Sequence, residues 1–592
     1  MSIDFLRVFD LINYQAIKYP QANCLNYWQN EKWQSLSTLQ VQKSIDDISC
    51  WLMQNGFTEG QRIVIVPRMG SPRWMMLDFA FQQVGLVVVP IHPTSSSEEM
   101  TFILKETEAV LCITADIELY RKAKDLLDNT SLKMLFHLEE KSEGFFPALN
   151  DSASDHFSMA QLEAQKEKIT PQHLLAILYT SGTSGQPKGS MLTHHNVVSN
   201  IKSILPILPL QAGQRALSFL PFSHIFERTS CYAYIAFGVN IYFSQNLSLL
   251  STDFKSVQPY FCTTVPKTLE RMYDILLEQQ SEKNWWKKKV IGWAMAVGEK
   301  YRDEKQVSLF FGMKLFFARH LVLYRWKRAL GGHIKYMAVG AAALRPQISR
   351  LFSAAGVVTL AGYGMTEASP YISVNRPGFH KFGTVGLPVP GVEIKLDEPT
   401  ENGEGEILIK GPNIMLGYYK RPELNAEVFT TDGWFRTGDV GKMINKHFLT
   451  ITDRKKDIFK TTAGIYIAPQ PLENHFVASA FIFQCLVVGF NKPFVSAVLV
   501  PNFQVLKNWC DQNNIHWTSP TYMIHNIKVM AKMQMEVNAL NEVLENYKRI
   551  KKFVLSDVEW TTESGHLTTS FKIMRAKLLE KHRQEIEKLY LE

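Results

Sequence analysis

The chain has 592 residues, of which 46% are hydrophobic, 12% aromatic and 20% charged. Its length is worth about four domain-sized units, and its composition excludes a single small module and a disordered or fibrous chain. Lys and Arg (64) exceed Asp and Glu (56) to leave +8, yet thirteen Lys/Arg and four Asp/Glu fall between Ser281 and Lys335, so that segment carries +9 and the remainder −1.

A basic patch without zinc-finger spacing, a basic zipper or RNA-recognition wording argues against a nucleic-acid partner and for an anionic membrane surface or ligand. Seven cysteines (Cys24, Cys50, Cys112, Cys231, Cys262, Cys485, Cys510) form no CxxC pair, which speaks against a disulfide framework or zinc site and for a reducing compartment. The first twenty residues lack a basic-then-apolar leader. The most apolar stretch, WMMLDFAFQQVGLVVVPI, is broken by Asp78, Gln82 and Gln83, short of the ~18 uninterrupted apolar residues of a membrane span. The expected location is cytoplasmic, with the basic segment a candidate for peripheral membrane contact.

In chain order, LQVQKSIDDISCWLMQNG has apolar residues at helical spacing and stops at Gly56, after which RIVIVP predicts a short buried strand. WMMLDFAFQQVG predicts a helix, LVVVPI a strand, SSSEEMTFILKETE a helix behind serines and VLCIT a strand. Such alternation implies parallel pairing through right-handed crossovers. Leu138 to Ile169 reads as a polar, irregular surface connection. After the alternation resumes at Leu174, VEIKL, GEILIKG and FLTITDR predict an antiparallel β unit. From Lys456 the pattern changes to short strands (CLVVGF, SAVLVP), a long polar helix around Val529 to Tyr547 and a basic terminal helix. The predicted fold class is α/β: a large N-terminal domain, 1–455, with parallel sheets plus a β unit, and a small α+β domain, 456–592.

The string LAILYTSGTSGQPKGSMLTHHN, Leu175 to Asn196, predicts a buried strand, a loop and then a helix. Thr180, Ser181, Gly182, Thr183, Ser184, Gly185, Lys188 and Gly189 crowd the loop. Small hydroxyl residues and glycines let several N–H groups face one anion, and a lysine adds charge, the chemistry a polyphosphate needs. A Walker loop is excluded, because Pro187 stands where its second glycine belongs. A ligand-free surface loop is the alternative reading.

YTSGTSGQPKG resembles the phosphate-loop signature of the adenylate-forming superfamily of acyl-CoA synthetases, luciferases and peptide-synthetase adenylation domains. Further strings follow in that superfamily's order. AGYGMTEASP is similar to its Y-G-x-T-E element, which implies an adenine contact at Gly362 and Tyr363 and phosphate and Mg²⁺ roles for Thr366 and Glu367; Thr183 is the second metal residue so implied. VGAAAL resembles the strand end that admits adenine, at Gly340 and Ala341, and departs from the commoner Ser-Gly-Gly form at Val339 and Ala341. GWFRTGDVG supplies Asp439 for the ribose hydroxyls, and DRKKDIFKTTAGIYIAPQPLEN supplies Arg454 for ribose and phosphate, Lys456 at the hinge of a mobile C-terminal domain and Gly464 beside a pantetheine tunnel. LTTSFKIMRAKL presents Lys572 as the lysine that neutralises charge during adenylation, with Phe571 where the superfamily commonly has glycine. Taken singly, Asp439 or Arg454 reads more often as part of a surface ion pair and Lys572 as a solvated helix-end charge; the five motifs in one order tell against that.

The resemblance covers nearly the whole chain and is nearest to the long-chain fatty acid–CoA ligases, through LPFSHIFERTS, TVPKTLERMYDILL, the insertion before GGHIKYMAVG and YIAPQPLEN. It implies ATP, Mg²⁺, coenzyme A and a long-chain fatty acid as cofactor and substrates, and a gating role for His224, which otherwise reads as a capping or packed histidine. The insertion, WWKKKVIGWAMAVGEKY and LFFGMKLFFARHLVLYRWKRAL, mixes aromatic, aliphatic and basic residues as interfacial helices do; a core-packed helical pair is the other reading. The rival functions are an adenylating enzyme with a carrier-protein acceptor and a non-catalytic lipid-binding protein. Chain-length preference and oligomeric state are not encoded in any legible string.

Overall fold

The structure is a computed structural model that describes all residues except 1–3, 128–129, 141, 150–158, 181–185, 280–284, 303–307, 562–563, 569–571 and 592. Two compact units result. The larger runs to Ile394 and adds Ile409–Phe435 and Ile444–Leu449; the smaller takes Lys395–Leu408, Arg436–Met443 and the chain from Thr450 on.

The larger unit contains two sheets in which parallel strands dominate. The seven-stranded sheet runs Gly417–Tyr418, Lys188–Thr193, Leu174–Thr180, Val87–Pro90, Arg62–Val66, Leu111–Thr114, Met134–His137. From Leu174–Thr180 onward every pairing is parallel, and the two strands before it are antiparallel. The nine-stranded sheet runs Leu387–Pro388, Tyr371–Val374, Val358–Gly364, Tyr336–Val339, Phe261–Thr264, Arg215–Ser218, Asn240–Phe243, Leu25–Gln29, Lys32–Leu36. Parallel strands need crossovers, and helices supply them. The helix Thr38–Gln54 begins at a reciprocal capping box between Ser37 and Gln40, and Pro72–Val84 begins at Ser71 and ends at the left-handed Gly85. That second helix is buried on nearly every face, as its weakly broken apolar sequence requires.

A four-stranded sheet comprises Glu393–Asp397, Gly405–Lys410, Phe435–Ile444 and Phe448–Arg454 in that order. In the smaller unit Ile482–Val488 pairs antiparallel with Ser496–Pro501, which pairs parallel with Lys552–Leu555. Its core gathers Phe476, Val487, Leu499, Leu506, Val529 and Met533.

Three local expectations change. The stretch after Leu138 is not irregular throughout: Met159–Lys168 is helical, with Leu162 buried, the Lys166 ammonium 2.9 Å from Asp46 and Gln165 Nε2 donating to the Val84 carbonyl. One buried leucine among polar residues is too weak a periodicity to read. The polar helix expected to reach Tyr547 ends at Asn541, where the Asn541 side chain turns back to donate to the Ile550 carbonyl at 2.9 Å. The basic terminal helix is two short ones, Arg575–Lys581 and Arg583–Lys588.

Candidate active site

Ligands of open α/β sheets bind at the carboxyl ends of parallel strands. In the nine-stranded sheet those ends are Ser218, Thr264, Val339 and Gly364, and the segments leaving them carry His224, Gly340, Ala341, Thr366 and Glu367. Val339 pairs with Ala361, which sets Gly340 beside Gly362 and Tyr363. Gly364 is forced: a β-carbon there would lie 2.1 Å from the Pro370 carbonyl oxygen. Ala341 adopts φ +70°, a left-handed conformation that costs a non-glycine residue about 1 kcal/mol. The departure from glycine at this position is thus carried as backbone strain.

Glu367 sits on a short turn, Thr366–Ala368, clamped from two sides: Met415 N–H donates to the Glu367 carbonyl at 2.9 Å and Asn413 Nδ2 to the Ala368 carbonyl at 2.8 Å. Its carboxylate is buried, and the Tyr418 hydroxyl donates to Oε1 at 2.8 Å. Lys188 Nζ lies 4.6 Å above the ring of the same tyrosine, a favourable cation–π placement. Burial, and then the Glu367 charge, hold the Tyr418 phenol far above its ordinary pKa, so it stays a donor. Tyr418 thereby brings Lys188 and Glu367 to one place. It lies in PNIMLGYYKRP, a string in which neither spacing nor a neighbouring motif singles out this tyrosine.

Lys188 does not precede a helix as expected. Lys188–Thr193 is a strand antiparallel to Leu174–Thr180, with Thr180 opposite Lys188, and the helix starts only at His194, capped by Thr193 with Asn196. The SMLT run is buried except at Met191 and pairs at once with its neighbour, which outweighs any helical start before the capping box. Thr180 and Lys188 flank the loop; Ser181, Gly182, Thr183, Ser184 and Gly185 lie outside the described residues.

His224 occupies the N-cap of the helix Ile225–Phe237 but makes no side-chain cap bond. Its ring packs 5.2 Å from that of His92, an unforeseen partner from the loop after Val87–Pro90. Burial pushes His224 down to about 4, and burial together with His224 pushes His92 down to about 3, so both imidazoles are neutral near neutral pH. One turn on, the buried Glu227 accepts from Ser218 Oγ at 2.5 Å and Thr263 Oγ1 at 2.6 Å, and burial raises its carboxyl to about 7. A carboxyl whose folded pKa exceeds its unfolded value stabilises the fold least when ionised, so stability falls as pH rises from about 4.5 to about 7. Glu227→Gln is expected to remove that slope and to gain about 2–3 kcal/mol at pH 8, read as a melting-temperature gain at pH 8 that vanishes at pH 4.5. A variant less stable at every pH would show that the carboxylate itself is needed.

In the smaller unit Arg454 Nε lies 3.8 Å from Asp439 Oδ1, so the two nucleotide candidates of that unit do meet. Lys456 is exposed on the turn that follows, and Gly464, at φ +82°, turns the hairpin Phe459–Lys460 to Tyr466–Ile467. Lys572 N–H donates to Thr568 Oγ1 at 3.0 Å, and its carbonyl accepts from Thr568 N–H at 2.8 Å. This small loop is anchored by Arg575, whose guanidinium donates to the buried Glu473 at 2.7 Å and to the Val487 carbonyl at 3.0 Å. Phe571 lies outside the described residues.

The donor set around Glu367 suits Mg²⁺, which takes one or two protein carboxylates and hydroxyls and finds its remaining ligands on substrate phosphates and water. Tyr418 engages one carboxylate oxygen, and a cation needs the other. No cluster of three or more His, Cys, Asp or Glu able to enclose a metal occurs among the described residues.

The sequence profile of AMP-binding enzymes matches residues 12–419, and that of the AMP-binding enzyme C-terminal domain residues 456–592. The long-chain-fatty-acid–CoA ligase FadD15 of Mycobacterium bovis is 29% identical over 94% of this chain and 92% of its own length. Long-chain-fatty-acid–CoA ligase 6 of Mus musculus is 30% identical over 96% and 84%. Among solved structures, the adenylation domain of a carboxylate reductase from Mycobacterium chelonae superposes with a TM-score of 0.74 at 22% identity, covering 100% of this chain and 92% of that one. ATP-bound MatB from Rhodopseudomonas palustris gives 0.71 at 19%, covering 98% and 99%. At such identities these two likenesses concern the fold.

Proposed function

From the premise that the chain belongs to the AMP-binding enzyme family, we propose that it activates long-chain fatty acids to acyl-CoA in two steps, through an acyl-adenylate. The observation that carries this reading is the Lys188–Tyr418–Glu367 arrangement, with Glu367 just past the carboxyl end of Val358–Gly364 and Lys188 opposite Thr180, the last residue of Leu174–Thr180. A polyphosphate with its metal needs a cation and a buried carboxylate within one ligand's reach, and these residues supply both.

In the first step the fatty-acid carboxylate attacks the α-phosphate of ATP, a C–O–P anhydride forms and pyrophosphate leaves. Lys188 and the loop from Thr180 hold the phosphates, and Glu367 with Thr366, and Thr183 from the loop, are the metal-side groups. Mg²⁺, when bound, offsets phosphate charge. Tyr363, Gly362, Gly340 and Ala341 form the adenine side, Asp439 takes the ribose hydroxyls and Arg454 the ribose and phosphate. Lys572 offsets the negative charge that grows between carboxylate and α-phosphate, the kind of interaction that contributes most where water is excluded. In the second step the CoA thiol attacks the acyl carbon, the thioester forms and AMP leaves. We assign 456–592 as the domain whose rotation about Lys456 exchanges Lys572 for the pantetheine path beside Gly464. His224, neutral and packed on His92, is assigned to the acyl entrance, where an uncharged ring does not hold the carboxylate back.

The test is release of AMP and acyl-CoA from ATP, Mg²⁺, CoA and a series of fatty acids. Acyl-CoA peaking with long chains supports the reading; AMP without acyl-CoA would move the acceptor to a carrier-protein thiol, and no AMP with any acid would leave a lipid-binding protein. Tyr418→Phe removes a hydrogen bond to a buried carboxylate, worth about 1.5–3 kcal/mol. We expect kcat/KM to fall about 10- to 100-fold, with the loss partly recovered at high Mg²⁺. Unchanged kinetics would make Tyr418 a packing residue.

A further inference from the structure

The insertion helices are apolar on two opposite sides. In the segment made of Leu309–Ala318, the π-helical turn Arg319–Leu323 and Tyr324–Ala329, the stripe Leu315, Ala318, Val322 and Trp326 is buried in the core of the larger unit. The opposite stripe, Leu309, Phe310, Met313, Phe316, Phe317 and Leu321, is 53–92% exposed. The packing partner Trp285–Glu299 repeats the arrangement, with Ala294 and Val297 inside and Trp285, Trp286 and Trp293 exposed. A helix apolar all round belongs in an apolar medium, and a contiguous patch of this kind marks an interaction surface.

Charge says which surface. The residues 285–302 and 308–335 contain eleven Lys/Arg and a single acid, Glu299. Lys289 Nζ lies 4.7 Å over the Trp285 ring and Lys314 Nζ 4.4 Å over Phe310, aromatic and cation side by side as at the headgroup level of a bilayer. At the far end of the same segment an open cleft of about 280 Å³ is lined by Arg319, His320, Lys327 and Arg328. Among the described residues none of these three arginine and lysine side chains pairs with a carboxylate. Burial and then the charges of Lys335 and Arg319 push the Lys327 ammonium down, which an entering anion would reverse. No helix among the described residues is long and apolar enough to cross a membrane, so contact would be in the plane of the interface.

We propose that this outward face of the insertion docks on an anionic phospholipid bilayer, the aromatic stripe entering the headgroup–acyl boundary and the basic cleft taking a lipid phosphate. The inference is independent of the ligase reading, because docking is measured without substrate. The full chain is sedimented with phosphatidylcholine vesicles, with and without phosphatidylglycerol, at low and high salt. Binding is expected to the anionic vesicles and to weaken with salt. Lys327→Gln with Arg328→Gln is expected to weaken it about 25-fold, roughly five-fold per cation, while leaving weak binding to neutral vesicles. Phe310→Ser with Phe317→Ser is expected to weaken it at least about ten-fold on both compositions; Phe310, Phe317 and Arg328 are exposed and Lys327 half-buried, and an unchanged melting temperature certifies the fold of each variant. Three outcomes would overturn the proposal: no binding to anionic vesicles, binding indifferent to Phe310→Ser with Phe317→Ser, or sedimentation velocity showing a dimer in lipid-free solution that the same two substitutions dissociate, which would assign the face to a second copy of the chain.

Discussion

Lys572→Ala is expected to slow acyl-adenylate formation about 10²- to 10³-fold, the size of effect seen when one preorganised stabiliser of a developing charge is removed. The thioester-forming step, started from synthetic acyl-adenylate and CoA, should stay within a few-fold of the native rate. The split follows from the proposed roles: on that reading the ammonium acts while charge grows at the α-phosphate and has no part once AMP is the leaving group. The loop should survive the substitution, because the bonds to Thr568 are made by the Lys572 backbone and the anchor is Arg575 on Glu473. Equal loss in both steps would reassign Lys572 to structure, and no loss in either would remove it from the mechanism.

Asp78→Ala is expected to cost about 3–5 kcal/mol, the price of stranding a buried charge, and a fold stability of about 5–15 kcal/mol barely absorbs it. Asp78 and Arg228 are both fully buried, Arg228 donates to both Asp78 oxygens, and the Tyr232 hydroxyl joins them. The anchor ties the helix Pro72–Val84 to Ile225–Phe237, the helix that starts at His224. Nη1 of Arg228 is buried without a hydrogen-bond partner among the described residues, so the network is incompletely satisfied and its net contribution to stability is small. Asp78→Leu with Arg228→Met should therefore recover most of the stability lost in the single variant. Melting temperature and soluble yield report both; a double variant as unstable as the single would mean that the pair itself stabilises the fold.

Much of the fold was legible because its signals were local. RIVIVP, LVVVPI and VLCIT are short apolar runs bounded by turn residues, and they are the adjacent parallel strands of one sheet. The order of the two sheets was not legible, since Leu25–Gln29 pairs with Asn240–Phe243 across more than two hundred residues, and no local pattern encodes a partner that distant. The site divides in the same way. Glu367, Lys188 and Asp439 sit in strings that resemble a family's motifs, and the nucleotide roles proposed for them rest on that resemblance. Tyr418 and His92 were missed because a tyrosine or a histidine becomes informative only when its neighbour is known. Asp439 and Arg454 come from separate strings, and that they lie 3.8 Å apart was not legible in either. For Asp78 the polarity that broke an apolar run on paper turned out to be one half of a buried pair.

All seven cysteines are free and buried, five in the larger unit and Cys485 and Cys510 in the smaller. A thiol enclosed in this way reacts with a water-soluble reagent only when its surroundings open. Each unit thus carries its own internal clock of opening, set without any engineered label. Labelling followed by peptide mass analysis would time the breathing of the two units separately, in a chain large enough that a single melting curve blends them.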